Sequence, residues 1–346
     1  MIVYSLKIVA IRKETDDSVT LSFKQPGLKK IKYQSGQYLT LIFRINGRRY
    51  IRPYSFSSTF GIDPTLDVTI KRVPGGIVSN HILDVVKEGD AVEVMEPMGD
   101  FIVPVESRSQ EDHLVLWGVG SGITPLYSIL KDTLANYSNK VTLIYGNRNH
   151  TTVIFKDALE ALKNTYPDRL TLIEFYTRAE IDMTGSHIIE GRIQPSKALE
   201  YIRSISSIEH TSHFICGPGG LKDSVKVALA EVNVLSDKIF SEDFEIVKNE
   251  DDFKGIQTQL IQIRKENEQI AVEVIKGKSI LEAGLDAMIE LNYSCQTGNC
   301  SVCKGRLIQG EIKTIGVKEI SKDLVENEYL LCCSYPITGD VIVEVN

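Results

Sequence analysis

The sequence predicts a multidomain chain of three successive folds: an antiparallel β-barrel, an α/β domain on a parallel sheet, and a small α+β domain of β-grasp-like type. Three observations predict it. Residues 1–106 alternate apolar and polar positions between Gly, Pro and Asn punctuation, the period of half-buried antiparallel strands. Residues 107–246 alternate short apolar strands with helix-period text, the pattern of βαβ units. A polar break at 247–255 reads as a linker, and 256–346 begins with a hairpin-like pair and holds five of the six cysteines.

The elements follow in order. IVYSLKIVAIRKE, SVTLSFK, QYLTLIFRING and TLDVTIKRV are the barrel strands. HLVLWGVGSG is a strand buried on both faces that runs into a glycine turn, and ITPLYSILKDTLANY after it is helical, with Thr124 and Pro125 suited to the N-cap and first helical position. KVTLIYGN, RLTLIEFYT and Ser212–Cys216 supply further parallel strands. QTQLIQIRKENEQIAVEVIKG is the late hairpin, and Ser279–Glu290 is a short helix before the cysteine loop.

Hydrophobic residues make up 42% of the 346 and charged residues 25%, which excludes a disordered chain. The length suggests two or three cores. No apolar run approaches the ~18 residues that cross a bilayer, so no membrane span is expected. Lys7, Arg12 and Lys13 interrupt the first segment, which reads as a strand and not as a signal peptide. The net charge of −7 argues against nucleic acid as a partner. A cytoplasmic, multidomain enzyme is the expectation.

The cysteines narrow the chemistry. Cys295-x4-Cys300-x2-Cys303, then Cys332 and Cys333 after a long gap, is the plant-type [2Fe–2S] spacing. A zinc site pairs two short Cys/His units, whereas only one CxxC is present and all six histidines precede this region. Gly298 and Gly305, with Ser294, Thr297 and Ser301, allow backbone N–H groups to approach the sulfurs. The bland alternative is a set of buried free thiols.

Three further segments carry chemistry. Arg52-Pro53-Tyr54-Ser55 places a guanidinium suited to phosphate beside an aromatic face suited to a flat ring, though it also reads as an edge strand with a proline. Gly75-Gly76-Ile77-Val78-Ser79 is a glycine turn entering a helix, whose first N–H groups favour phosphate; a capped helix without ligand reads the same way. Gly118-Val119-Gly120-Ser121-Gly122-Ile123-Thr124-Pro125 follows an apolar strand and opens a helix, as does Cys216-Gly217-Pro218-Gly219. Cys216 reads equally as a packing residue.

Together these segments resemble a ferredoxin–NADP reductase-type flavoprotein fused to a plant-type ferredoxin. The resemblance implies FAD, with Arg52 on the diphosphate, Tyr54 stacked on the isoalloxazine, Ser55 near N5, and Gly76 and Ser79 as a second diphosphate contact. It implies that Gly118, Gly120, Gly122, Thr124 and Pro125 face the nicotinamide nucleotide. Cys216, Gly217 and Pro218 would then lie beside the hydride path, with Ser55, Cys216 and Thr124 at the reacting end. Glu242, Asp243 and Phe244 resemble the family's ending near the flavin. Thr177-Arg178 resembles the pair that holds a 2′-phosphate, with Arg148 and Arg192 as supplements, so NADPH is favoured and NADH stays open. Leu330-Leu331-Cys332-Cys333-Ser334-Tyr335-Pro336 resembles the fourth-ligand segment of plant-type ferredoxins, which points to Cys332, with adjacent Cys333 as the alternative.

The order of segments is similar to reductase components of bacterial multicomponent oxygenases, the phenylacetyl-CoA epoxidase type nearest among them through Tyr145-Gly146-Asn147-Arg148 and Phe155-Lys156. An oxygenase component or another protein electron acceptor is the expected partner. Two other readings stand beside it: a stand-alone reductase serving other acceptors, and a non-enzymatic iron–sulfur sensor.

Overall fold

A computed structural model of the chain describes residues 2–27, 29–178, 188–205, 207–246, 248–317 and 323–345. The chain divides into two compact units, residues 1–42 with 54–243, and residues 43–53 with 244–346.

From the N-terminus the chain forms strands β1 (Val3–Thr15), β2 (Ser18–Lys24), β3 (Tyr38–Ile45), β4 (Arg48–Ser55) and β5 (Thr65–Lys71), helix α1 (Ile77–Asp84) and strand β6 (Ala91–Met95). They build one six-stranded sheet in the order β4-β3-β6-β1-β2-β5. Its β1–β2, β1–β6, β2–β5 and β3–β6 pairs are antiparallel. An antiparallel bridge from Phe56 to Val68 brings the chain after β4 back to β5. The period-2 pattern explains the core: in β5, Leu66, Val68 and Ile70 are fully buried. β3 and β4 are joined by Asn46-Gly47, both with positive φ (51° and 78°), the turn whose twist matches an antiparallel pair. The tip of this hairpin, Phe43–Pro53, belongs to the second unit.

The rest of the first unit is a parallel sheet. Its elements are β7 (His113–Val119), α2 (Ile123–Asn136), β8 (Lys140–Asn147), α3 (Lys156–Thr165), β9 (Leu170–Tyr176), β10 (Ile188–Glu190), α4 (Pro195–Ser204), β11 (Thr211–Cys216), α5 (Gly219–Glu231) and β12 (Ile239–Glu242). The strand order is β10-β9-β8-β7-β11-β12, every pair parallel. β7 shows why its text is continuously apolar. Leu114 and Leu116 pack with Leu126, Ile129 and Leu130 of α2, whereas Val115 and Trp117 pack with Val225 and Leu229 of α5.

One expectation is corrected here. α2 begins at Ile123, capped by Gly122 after a 3₁₀ turn over Gly120–Gly122, so Thr124 and Pro125 fall inside the first turn. The Thr124 hydroxyl donates back to the Ser121 carbonyl (2.9 Å) and caps no helix N–H. The glycine turn coils tightly enough to start the helix early.

The second unit contains, besides the hairpin tip, β13 (Gln259–Lys265), β14 (Glu268–Val274), α6 (Ile280–Asp286), β15 (Lys304–Gln309), β16 (Ile312–Thr314), β17 (Glu328–Leu330), β18 (Ser334–Pro336) and β19 (Ile342–Val345). Its main sheet runs β14-β13-β19-β15-β17 and mixes a parallel β13–β19 pair with antiparallel neighbours; β16 pairs with β18. A reciprocal cap starts α6: the Ser279 hydroxyl accepts from Glu282 N–H (3.2 Å), and the Glu282 carboxylate accepts from Ser279 N–H (2.7 Å). α6 stops at Asp286, short of the predicted Glu290, because Met288 takes a left-handed φ of 64° and Ile289 N–H turns back to the Gly284 carbonyl. The stretch read as a linker carries a 3₁₀ turn at Glu250–Phe253, and its Phe253 packs with Ile256, Ile315 and Tyr335.

Trp117, the only tryptophan, donates from Nε1 to Nδ1 of His213 (3.1 Å), which is fully buried on β11. Burial drives the His213 imidazole down to about 3 from an ordinary 6.5. The unfolded chain therefore binds one more proton between those values, and stability falls as pH is lowered through that window. Denaturant unfolding followed by Trp117 fluorescence should lose up to about 1.4 kcal/mol per pH unit from this group below pH 6. A His213→Gln chain should show a correspondingly shallower pH dependence.

Candidate functional site

In a doubly wound sheet a ligand crevice opens at the carboxyl ends of strands where the strand order reverses. Here the chain proceeds from β7 outward through β8, β9 and β10, then returns to β11 and β12 on the other side, so the reversal lies between β7 and β11. Register places Gly118 opposite Cys216, and Cys216 opposite Glu242. The loop after β7 then crosses the end of β11: a Cβ on Gly122 would stand 2.1 Å from the Cys216 carbonyl oxygen. No side chain fits there. Gly120 takes a φ of 56°, Thr124 and Pro125 are buried in the first turn of α2, and Pro218 caps α5 directly after Gly217.

The end of β4 reaches the same line of residues. The Ser55 hydroxyl donates to Glu242 Oε2 at 3.4 Å; Ser55 is buried and Glu242 half-buried. Burial pushes the Glu242 carboxyl up to about 8, against the Ser55 hydrogen bond, which lowers it. Burial, then the neighbouring Glu242, holds the Cys216 thiol well above its usual range. Glu242 entered the sequence reading only through its family-like ending; its place as the last residue of the last parallel strand is the signal that marks it. Asp243 beside it is ion-paired with Lys222.

The remaining flavin-type positions are distributed as follows. Arg52 and Pro53 lie on the β4 segment of the second unit, and an Arg52 N–H donates to the Ile51 carbonyl (2.8 Å). Tyr54 is half-buried. Gly76 caps α1, and the Ser79 hydroxyl, in its first turn, accepts from Val73 N–H at 3.1 Å. Phe244 follows Asp243 directly and is half-exposed.

A second cavity, about 450 Å³, is lined by Arg148, Thr177, Arg178, Gly191 and Arg192 beyond the ends of β8, β9 and β10. Backbone bonds hold its walls together: Thr177 N–H to Asn147 O (3.1 Å), Arg178 N–H to Arg148 O (2.7 Å) and Gly191 N–H to Tyr176 O (2.9 Å). Three guanidinium groups and a hydroxyl around one space suit a phosphate dianion.

The cysteine loop of the second unit is wound by left-handed residues at Gln296, Gly298 and Ser301. This winding turns Cys295 N–H toward Cys300 Sγ and Thr297 N–H toward Cys295 Sγ, each at 3.4 Å. Leu331 N–H bonds the Cys303 carbonyl (2.9 Å) and brings the remote 3₁₀ turn of Leu331–Cys333 alongside. These bonds hold the loop of Cys295, Cys300 and Cys303 beside the turn of Cys332 and Cys333. The Cys300 hydrogen bond, helped by the Thr297 and Asn299 N–H groups, lowers Cys295 below the usual thiol range, so the loop stabilises a thiolate. Cys333 is also buried, its sulfur 3.5 Å from that of Cys332 and packed toward Gly298. Thiols on one tight loop and one remote turn, with N–H groups aimed at Cys295 and Cys300, are the donor set that a two-iron cluster takes.

Three family models match the chain in succession: an oxidoreductase FAD-binding domain over residues 5–102, an oxidoreductase NAD-binding domain over 116–226, and a 2Fe-2S iron-sulfur cluster binding domain over 263–337. One component of the 1,2-phenylacetyl-CoA epoxidase of Escherichia coli K12 is 29% identical over 99% of this chain and 97% of its own. The ferredoxin reductase component of 3-ketosteroid-9-alpha-monooxygenase from Rhodococcus rhodochrous is 30% identical over 98% and 96%. Phthalate dioxygenase reductase shares the fold, with a TM-score of 0.68 at 21% identity over 99% of this chain and 98% of its own. Among the described residues no helix is long and apolar enough to cross a membrane. With all three domains in one order and a relative aligned along nearly its whole length, the chain belongs to the family of oxidoreductases that join FAD-binding, NAD-binding and C-terminal [2Fe–2S] domains.

Proposed function

We propose that this chain is the reductase component of an oxygenase system, taking electrons from NADPH and passing them from its C-terminal cluster to a partner oxygenase. The observation that carries this reading is the cysteine loop, with Cys295 N–H turned toward Cys300 Sγ, Thr297 N–H toward Cys295 Sγ and Leu331 N–H on the Cys303 carbonyl, on a chain whose parallel sheet reverses its strand order between β7 and β11. When bound, a flavin would accept one hydride, two electrons together, and release electrons singly, which matches a two-electron nicotinamide to a one-electron cluster.

The chain's own residues have the following roles. Arg52, with Gly76 and Ser79 at the start of α1, holds the flavin diphosphate, and Pro53 sets the strand between Arg52 and the Tyr54 ring that covers the isoalloxazine. Ser55, whose hydroxyl donates to Glu242, would lie at the reacting edge. Gly118, Gly120 and Gly122 would form the turn that faces the nicotinamide nucleotide, Gly122 by admitting the Cys216 main chain and Gly120 by leaving open space, and Thr124, Pro125, Cys216, Gly217 and Pro218 would shape the pocket around it. Phe244 would contribute to flavin binding. Arg148, Thr177, Arg178 and Arg192 hold the 2′-phosphate. A reducing, cytoplasmic setting keeps the clustered thiols available as ligands.

The partner should carry a basic docking face. From Lys248 onward the chain has 16 Asp and Glu against 11 Lys and Arg, and Glu250, Asp251, Glu266 and Glu268 of that segment are exposed. Complementary charge steers transient encounters, and salt screens it.

Anaerobic titration of the loaded protein with NADPH, followed by visible absorption, should bleach flavin and cluster bands together at up to about three electrons per chain. Flavin bands without cluster absorption, after iron and sulfide reconstitution, would overturn the reading. In the same assay Arg178→Ala should raise the KM for NADPH about tenfold or more and leave that for NADH within twofold, as expected for one lost charged contact to phosphate. Delivery of electrons to the oxygenase should slow as salt rises from 50 to 500 mM, while NADPH-driven flavin reduction changes far less.

A further inference from the structure

The second unit combines the ferredoxin-type fold with the tip of the β3–β4 hairpin, and the contacts between them are specific. Ile51 on β4 is fully buried, and its backbone N–H donates to the Tyr293 hydroxyl at 3.0 Å. Tyr293 is itself 2% exposed and stands two residues before Cys295. Ile51 stands directly before Arg52-Pro53-Tyr54 on the same strand. A phenol thus bonds a main-chain N–H inside a unit where water cannot replace it.

Charged contacts surround this bond. Arg48 donates to the Leu285 carbonyl (2.8 Å) and to Asp286 Oδ1 (3.1 Å) at the carboxyl end of α6, where the helix dipole favours a cation. Arg44 lies 3.6 Å from Glu290, and Lys278 ties Asp286 from the other side (2.6 Å). Arg48 also lies over the Tyr50 ring, 5.7 Å from its centroid. The hairpin tip is therefore held by a buried neutral bond and an outer set of ionic ones.

We infer that Tyr293 is a positioning residue for electron passage: its hydroxyl on Ile51 N–H fixes the strand that carries Arg52 and Pro53 against the loop of cluster cysteines within the second unit. Ile51 stands directly before Arg52, and Tyr293 two residues before Cys295, so one buried bond sets the spacing of the two segments. Electrons would pass singly from flavin to cluster with no bond made or broken, and the Tyr293–Ile51 bond would hold these segments in place for that step. The Arg48 and Arg44 contacts hold the hairpin so that the bond persists. The inference rests on the proposed relay from nicotinamide to cluster.

The test uses full-length protein loaded with FAD and cluster, comparing wild type with Tyr293→Phe. Amide exchange read by mass spectrometry should rise about tenfold in peptides spanning Ile51, because a buried N–H loses its acceptor, and stay unchanged in β13 and β14. In rapid mixing with NADPH, flavin bleaching should keep its wild-type rate while cluster bleaching slows about fivefold or more, with unaltered cluster EPR and cluster potential. If Tyr293→Phe does not load its cluster, Arg48→Gln carries the test and should raise exchange over residues 43–53 and slow the same phase. Unchanged cluster bleaching in a variant whose Ile51 exchange has risen would overturn the assignment of Tyr293. A wild-type protein whose cluster is never reduced by NADPH would instead overturn the relay.

Discussion

Where Gly122 passes the end of β11, a Cβ would stand 2.1 Å from the Cys216 carbonyl oxygen, so two backbones occupy a space that elsewhere holds side chains. The geometry of the crevice depends on this approach. It brings the glycine loop of β7 onto the end of β11, and parallel register carries the alignment outward to Glu242 on β12. Ser55, from the antiparallel half of the same unit, completes the line with its bond to Glu242. A contact between main chains has no rotamer with which to relax, so the positions of these groups are set by the sheet and not by the side chains that use them.

Burial then decides the charge state along the sheet. His213, Cys216 and Glu242 lie on β11 and β12, and desolvation shifts each toward its neutral form. The fixed positive charge is placed apart, on Arg148, Arg178 and Arg192 around the cavity beyond β8 and β9. A ligand that is flat and uncharged at one end and anionic at the other suits this division. The neutral end avoids the cost of desolvating a permanent charge, and the cationic end retains the strength of charge-assisted hydrogen bonds.

The C-terminal unit solves a different problem, that of holding several sulfurs close together. Three left-handed residues within one loop turn N–H groups toward the thiols, and a backbone bond from Leu331 to Cys303 brings in the remote cysteine. Around this loop the fold is fastened at both ends of α6. The Ser279–Glu282 cap starts it, and Arg48 from the hairpin tip meets its final carbonyl groups. Lys248 reaches Glu282 and the Gly277 carbonyl, so the segment read from sequence as a linker is secured to the same helix.

Much of the fold was legible in the sequence because period and punctuation report local backbone geometry. Alternation marked β1, β2, β3 and β5; the unbroken apolar text of β7 marked a strand covered on both faces; the cysteine spacing marked a two-iron site. Short or tightly wound elements were not legible. β6 is five residues long, α2 starts one residue before its predicted cap, and Met288 ends α6 with a backbone conformation that its side chain does not announce. The sequence by itself determined which residue types each segment offers: thiols at cluster spacing, glycines before helices, an Arg-Pro-Tyr-Ser strand. Only the tertiary structure decided which segments meet, placing Ser55 on Glu242, Leu331 on Cys303, and Ile51 on Tyr293. Propensity acts over a few neighbouring residues, whereas those meetings depend on strand order and register across most of the chain.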